Sequence, residues 1–201
     1  MPKKPSSPES LADLLARIRA CTACRGLPLG PRPVIQAHRD ARVAVIGHAP
    51  GRLVHASGIP WNDLSGDRLR EWLGVSRADF YDPKKFAMVG MGFCYPGTGK
   101  TGDLPPRPEC APLWHDEVFS RLRGDIPKVL IGQYALKYYL GSRAQKTLTE
   151  TVTAYVEYLP EFLVLPHPSG RNNGWLAKNP WFEREALPRM RAVLRKSLAA
   201  R

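Results

Sequence analysis

The sequence predicts an α/β protein, a three-layer α/β/α sandwich with a mainly parallel central sheet. Two observations predict it. Short apolar runs alternate with stretches of helical period along the chain, and strands separated by helices pair in parallel. Three loops that leave the runs, "GHAPG", "GFCYPG" and "LPHPSGRNN", are rich in Gly, Pro or His where a simple connector needs none of them. In open parallel sheets such loops, beyond the carboxyl ends of the strands, hold the ligand.

The elements follow in order. Residues 1–8 carry Pro, Lys and Ser with almost nothing apolar and are expected as a disordered tail. From Ser10, Leu11, Leu14, Leu15 and Ile18 fall at helical spacing. Val43 to Gly47 is a strand broken by Pro50-Gly51. "LSGDRLREWLGV" is a helix capped near Ser65 and ended by Gly74. "KFAMVGMGFC" is a second strand, and "RPECAPLWHDEVFSRL" a helix with Pro near its start. "KVLIG" is a strand and "QYALKYYLG" the helix after it. "VTAYVEYLP" is a helix or a strand, "FLVLP" a strand, and Trp181 to Ala199 a helix with Pro188 inside it. One domain over residues 9–201 is expected, without repeats or a second domain.

Composition narrows the classes. The chain has 201 residues, 43% hydrophobic and 24% charged, with a net charge of +12. No apolar run is long enough to span a membrane. The start has two lysines but no apolar segment before a cleavage site, so no secretory signal is expected, and cytoplasm is the default location. The Lys/Arg excess is spread along the chain, which favours a polyanionic partner, nucleic acid first. A merely basic protein is the plain alternative.

Four cysteines stand out: Cys21 and Cys24 in "CTAC", then Cys94 and Cys110. A C-x2-C pair lets two thiolates reach one metal group from a single turn. With two distant partners it fits a [4Fe–4S] cluster or a structural zinc. The other reading is that Cys94 and Cys110 are buried apolar residues and the pair is chance. Between the last two lies "GTGKTGDLPP", which ends like a phosphate-binding P-loop. The first Gly of that pattern is Cys94 here, and Gly-Asp-Leu-Pro-Pro cannot open the helix the phosphates need. A P-loop is therefore excluded. The prolines instead stiffen a loop between two cysteines, from which Lys100 and Arg107 project as phosphate contacts or as plain surface charge.

"GHAPG", residues Gly47 to Gly51, has small residues at both ends and admits a flat ligand close to its backbone. "SGIPWND" supplies Trp61 and Asp63. "LPHPSGRNN" fixes His167 between two prolines, followed by Ser169, Arg171, Asn172 and Asn173.

Taken together, these residues resemble the uracil-DNA glycosylase superfamily, in particular its iron–sulfur branches. Gly47-His48-Ala49-Pro50-Gly51 is similar to the first family motif, and His167-Pro168-Ser169 to its H-P-S motif. Gly58-Ile59-Pro60-Trp61 stands where the family has G-R-P-F. The C-x2-C pair and the spacing of Cys94 and Cys110 match the family's cluster ligands. The resemblance covers roughly residues 15–195 and implies a monomeric enzyme acting on damaged DNA, with a structural [4Fe–4S] cluster on Cys21, Cys24, Cys94 and Cys110.

It also implies roles. His167 would donate a hydrogen bond to the oxygen of the departing base. Asp63, which matches the Asp of a G-D-x-S-G stretch in one branch, would orient water. Trp61 would stack on the base, and Gly47, His48, Ala49 and Gly51 would line it. Ser169 would bind a flanking phosphate, with Arg171, Asn172 and Asn173 on the DNA side. Two departures are plain. His48 replaces a Glu that positions water in the other branch, and is expected to assist the water or shape the pocket. Gly90 replaces an Asn that reads the uracil edge, so a range of bases wider than uracil is implied. Asp63 also reads as a helix cap, and Trp61 as a core aromatic. Two rival classes remain at this level: a non-catalytic DNA-binding module of the same fold, and a zinc-stabilised nuclease or nucleotide-handling enzyme, for which no convincing set of clustered carboxylates is found.

Overall fold

The computed structural model describes residues 9–100 and 102–200. The expected tail, residues 1–8, lies outside the described residues. Four parallel strands form the central sheet: β1 (Val43–Ile46), β2 (Phe86–Met88), β5 (Lys128–Ile131) and β6 (Phe162–Leu165), in the order β2-β1-β5-β6. Val43 pairs with Phe86, Ala44 with Lys128, and Lys128 with Phe162. A separate two-stranded antiparallel ribbon joins β3 (Thr98–Gly99) to β4 (Gly102–Asp103).

Helices cover both faces. α1 (Leu11–Arg19) and α5 (Cys110–Phe119) pack on one face through Leu14, Leu15, Ile18, Trp114 and Val118, against Ala44, Ala87 and Val89 of the sheet. α6 (Gly132–Leu140) runs beside α5, joined to it by a 2.7 Å hydrogen bond between Tyr139 and His115. α3 (Leu64–Leu73) and α9 (Leu187–Ala199) cover the opposite face, with Leu69, Trp72, Leu187 and Met190 against Val43 and Val45. Shorter helices fill the links: α2 (Arg52–Ser57), α4 (Arg77–Tyr81), α7 (Leu148–Thr153) and α8 (Asn173–Lys178). Every residue of β1, β2 and β6 is buried. Burial on both faces is what forces the uninterrupted apolar runs.

Several expectations shift in detail. The second strand ends at Met88 rather than near Cys94. A Cβ at Gly90 would lie 2.7 Å from the Gly92 carbonyl oxygen and 2.9 Å from that of His48, so the chain turns across the sheet edge there. α3 is capped by Asp63, two residues before the expected Ser65. The ambiguous "VTAYVEYLP" contains the end of α7 and a 3-10 turn, Tyr155–Tyr158. Trp181 to Ala199 is helical throughout with Pro188 inside it, as expected, and the run opens with a π-helical turn over Phe182–Ala186 just ahead of the proline. Gly99 lies in the ribbon, not before a helix, in keeping with the exclusion of a P-loop. No helix among the described residues is long and apolar enough to cross a membrane.

Candidate active site

A cavity of about 1010 Å³ opens at the carboxyl edge of the sheet. It lies where strand order reverses: the chain moves from β1 to β2 on one side, then to β5 and β6 on the other. That reversal splays the loops after β1 and β5 apart and leaves a crevice. Gly47 to Gly51, Trp61, Asp63, Gly132 to Tyr134, His167, Ser169, Arg171 and Asn172 all line it, with Lys100 and Asp103 of the ribbon.

His167 leaves the end of β6 between Pro166 and Pro168. The backbone N–H of Ser169 donates to its Nδ1 at 3.3 Å. An accepting nitrogen carries no proton, so the neutral ring keeps its proton on Nε2. Burial pushes its pKa down to about 4, and the charges of His48 and Arg171 act in the same direction. At neutral pH His167 is an uncharged N–H donor facing a cavity. The loop around it is tied down from both sides. Asn172 Nδ2 donates to the His167 carbonyl at 2.6 Å, and Arg68 of α3 donates to Asn173 Oδ1 at 2.8 Å and to the Ser169 carbonyl at 3.3 Å. Asn172 and Asn173 thus hold the loop's shape, and Asn173 lies outside the cavity lining.

Asp63 acts as a helix cap and also faces the cavity. Its Oδ1 accepts from the backbone N–H of Gly66 at 2.8 Å and caps α3. It also lines the cavity, which leaves its second oxygen available there. Two residues earlier, Trp61 has φ +56, in the left-handed region that a bulky residue occupies only under strain. The Tyr81 hydroxyl holds its carbonyl at 3.1 Å. A Cβ at Gly66 would collide with that same carbonyl, and a Cβ at Gly47 would collide with the Trp61 ring. Both glycines are therefore required by close approach. The Trp61 ring lies 5.8 Å from the His167 ring, inclined at 31°, and packs partly against the core. It is a core aromatic with one side on the cavity.

His48 is held neutral chiefly by burial, offset by the Ala49 backbone and the Asp103 carboxylate. Its ring meets the edge of Tyr134 at 5.3 Å. The turn Gly132 to Tyr134 was missed in the sequence. "IGQYA" reads as a strand running straight into a helix, and the signal was only that a Gly separates the two. Arg171 crosses to the ribbon, where its guanidinium occupies the space a side chain at Gly102 would need.

The four cysteines line one small second pocket, with Phe93, Leu113 and Trp114 around them. Two come from the loop after α1, one from the segment after β2, and Cys110 from the first turn of α5. None is in a disulfide. Burial raises the thiols of Cys24 and Cys94, and that of Cys110 to about 12, with the neighbouring cysteines adding to each shift. Arg107 turns inward and donates to the carbonyls of Arg25 and Gly26, both at 3.2 Å, rather than projecting outward. Among the described residues no three His, Cys, Asp or Glu side chains are grouped closely enough to hold a single metal ion. Donor type and shared burial fit a thiolate-held group. Gly92 lines both pockets, so the cysteine site backs directly onto the wall of the large cavity.

A parallel sheet with a His, a carboxylate and an aromatic ring around a switch-point cavity defines an α/β protein with a ligand crevice at the carboxyl edge of its sheet. Within that class the assignment is direct. The model of the uracil DNA glycosylase superfamily matches residues 35–191, and the chain belongs to that family. Its general function is accordingly of the uracil-DNA glycosylase kind.

Proposed function

We propose that this protein is a monofunctional DNA glycosylase that removes uracil and other deaminated bases by hydrolysing the N-glycosidic bond of a flipped nucleotide. The observation that carries the reading is the convergence of Asp63, Trp61 and a neutral His167 on one cavity. A base must leave the stack to be cut, at a cost of a few kcal/mol. The Trp61 ring offers it a stacking face. As the bond breaks, negative charge gathers on a base oxygen and positive charge on the sugar. His167 Nε2–H donates to that oxygen, fixed in direction by the Ser169 N–H on Nδ1. Asp63, held by its capping bond, directs its free oxygen to the attacking water and to the cationic sugar. His48, neutral and adjacent, takes up a proton from the water or shapes the cavity. Arg171 and Lys100 at the mouth supply positive charge for the DNA backbone.

Cys21, Cys24, Cys94 and Cys110 would hold a [4Fe–4S] cluster. When bound, it supplies a rigid cross-link rather than chemistry, joining the loop after α1 to the wall shared at Gly92.

Release of free base tests the reading. The protein is incubated with oligonucleotides carrying one uracil, hypoxanthine or xanthine, and released base is separated and quantified. Stoichiometric free base with an abasic site left behind is expected. DNA binding without base release would leave a non-catalytic DNA-binding module.

A further inference from the structure

His115, in the middle of α5, is 1% exposed and has no part in the scheme above. Phe93 and Tyr139 stack on its ring, each at 5.9 Å, and Phe119 and Tyr138 meet it edge-on. A phenylalanine would suit such surroundings. The imidazole differs from it in two hydrogen bonds. Its Nε2 lies 3.0 Å from the Gly90 carbonyl oxygen, which only accepts, so Nε2 carries the proton. Nδ1 therefore accepts from the Tyr139 hydroxyl at 2.7 Å. A satisfied buried pair of this kind adds little net stability over an apolar side chain of the same shape, but it fixes one geometry.

What it fixes is a peptide in the cavity wall. Gly90 and Gly92 both line the cavity, and Met91 between them is buried. His115 holds the carbonyl of the Gly90–Met91 peptide, and the N–H of the same peptide donates to the Gly47 carbonyl at 2.8 Å. Both edges of one peptide plane are thereby pinned, in a stretch whose two glycines resist turning less than other residues would. Gly47 in turn lies so close to the Trp61 ring that a Cβ there would collide with it. The series of bonds runs from Tyr139 of α6 through His115 and the segment after β2 to the loop after β1. We infer that His115 is a positioning residue of the cavity, holding the Gly90–Met91 peptide and, through it, Gly47 and the Trp61 ring where the base stacks. The base is taken from the glycosylase reading, whereas the hold on the wall is a separate claim.

The test compares wild type, His115→Phe and His115→Gln as full chains. Phe fills the space and makes neither bond, whereas Gln carries an N–H donor for Gly90 and an oxygen acceptor for Tyr139. Two readouts are taken under one set of conditions. One is single-turnover cleavage of a uracil oligonucleotide at saturating enzyme. The other is hydrogen exchange of the Met91 amide beside that of Val89, which donates to the Val45 carbonyl at 2.9 Å. In His115→Phe the cleavage rate is expected to fall by about tenfold to a hundredfold. Its Met91 amide is expected to exchange about tenfold faster or more, with Val89 unchanged. His115→Gln restores most of both. Cleavage by His115→Phe at the wild-type rate overturns the inference and leaves the glycosylase reading standing. A loss in which both amides speed up together marks a side chain that serves stability alone, and overturns it too. Wild type that cuts no uracil sinks the glycosylase reading, and Met91 exchange then decides the inference by itself: faster in His115→Phe keeps the hold on the wall, unchanged overturns it.

Discussion

Asp63 caps α3 and, in the proposed reading, directs the attacking water, and the two parts separate by substitution. Asparagine caps a helix as well as aspartate does, whereas alanine forfeits roughly 1 kcal/mol. Asp63→Asn is expected to unfold at the same denaturant concentration as wild type while losing on the order of 10²–10⁴ in cleavage rate. Asp63→Ala loses both, and parallel urea melts and single-turnover rates distinguish the two. The buried histidines set a second prediction. His167 and His115 both have pKa values lowered to about 4, each chiefly by burial. The unfolded chain titrates near 6.5. Between those values the unfolded state binds more protons, so stability rises with pH across that window and is lost as pH falls through it. The loss is on the order of 3 kcal/mol per histidine once both states are protonated. Urea midpoints from pH 7 to pH 4 should fall, and His115→Phe should flatten that slope even though it also removes the bonds to Gly90 and Tyr139.

At the element scale the chain's apolar runs and helix periods were legible, because the strands of the central sheet are buried almost throughout and each long helix has one dry side. The loops after β1 and β6 were legible as well, since their Gly, Pro and His content has no use in a connector. The turn after β5 was not. Its Gly-Gln-Tyr looks like an ordinary helix start, and only the strand order puts it on the crevice. The short ribbon β3–β4 was hidden too: its strands are two residues long, too short for any alternation to show. The turn from Trp61 to Gly66 carries the element-scale prediction. Gly66→Ala would drive a methyl into the Trp61 carbonyl, which the Tyr81 hydroxyl already holds. A destabilisation of roughly 2–3 kcal/mol is expected, read as a Tm lower by about 5–10 °C, together with loss of cleavage as Trp61 and Asp63 shift. An unchanged Tm would mean that this turn is softer than its close contacts require.

For the molecule as a whole, the cavity and the cysteine pocket share a wall at Gly92, so the two are expected to fail together. The proposed cluster would make fresh protein brown, and Cys24→Ser should then remove that colour, lower the Tm and weaken cleavage, although Cys24 lines no part of the large cavity. Colourless wild-type protein with bound zinc would replace the cluster without touching the glycosylase reading. The net charge of +12 carries a further expectation. Log affinity for DNA should fall linearly with log salt, at a slope of about −0.7 per phosphate on single strands and −0.9 on duplex. The most direct test of the central claim is single-turnover cleavage of a uracil oligonucleotide by wild type, Asp63→Asn and His167→Ala, with alkali to cut abasic sites. Cleavage by wild type that falls on the order of 10²-fold or more in each variant, with DNA binding retained, is the predicted result. Variants that cut as fast as wild type would contradict the assigned site, and wild type that binds without cutting would contradict the activity itself.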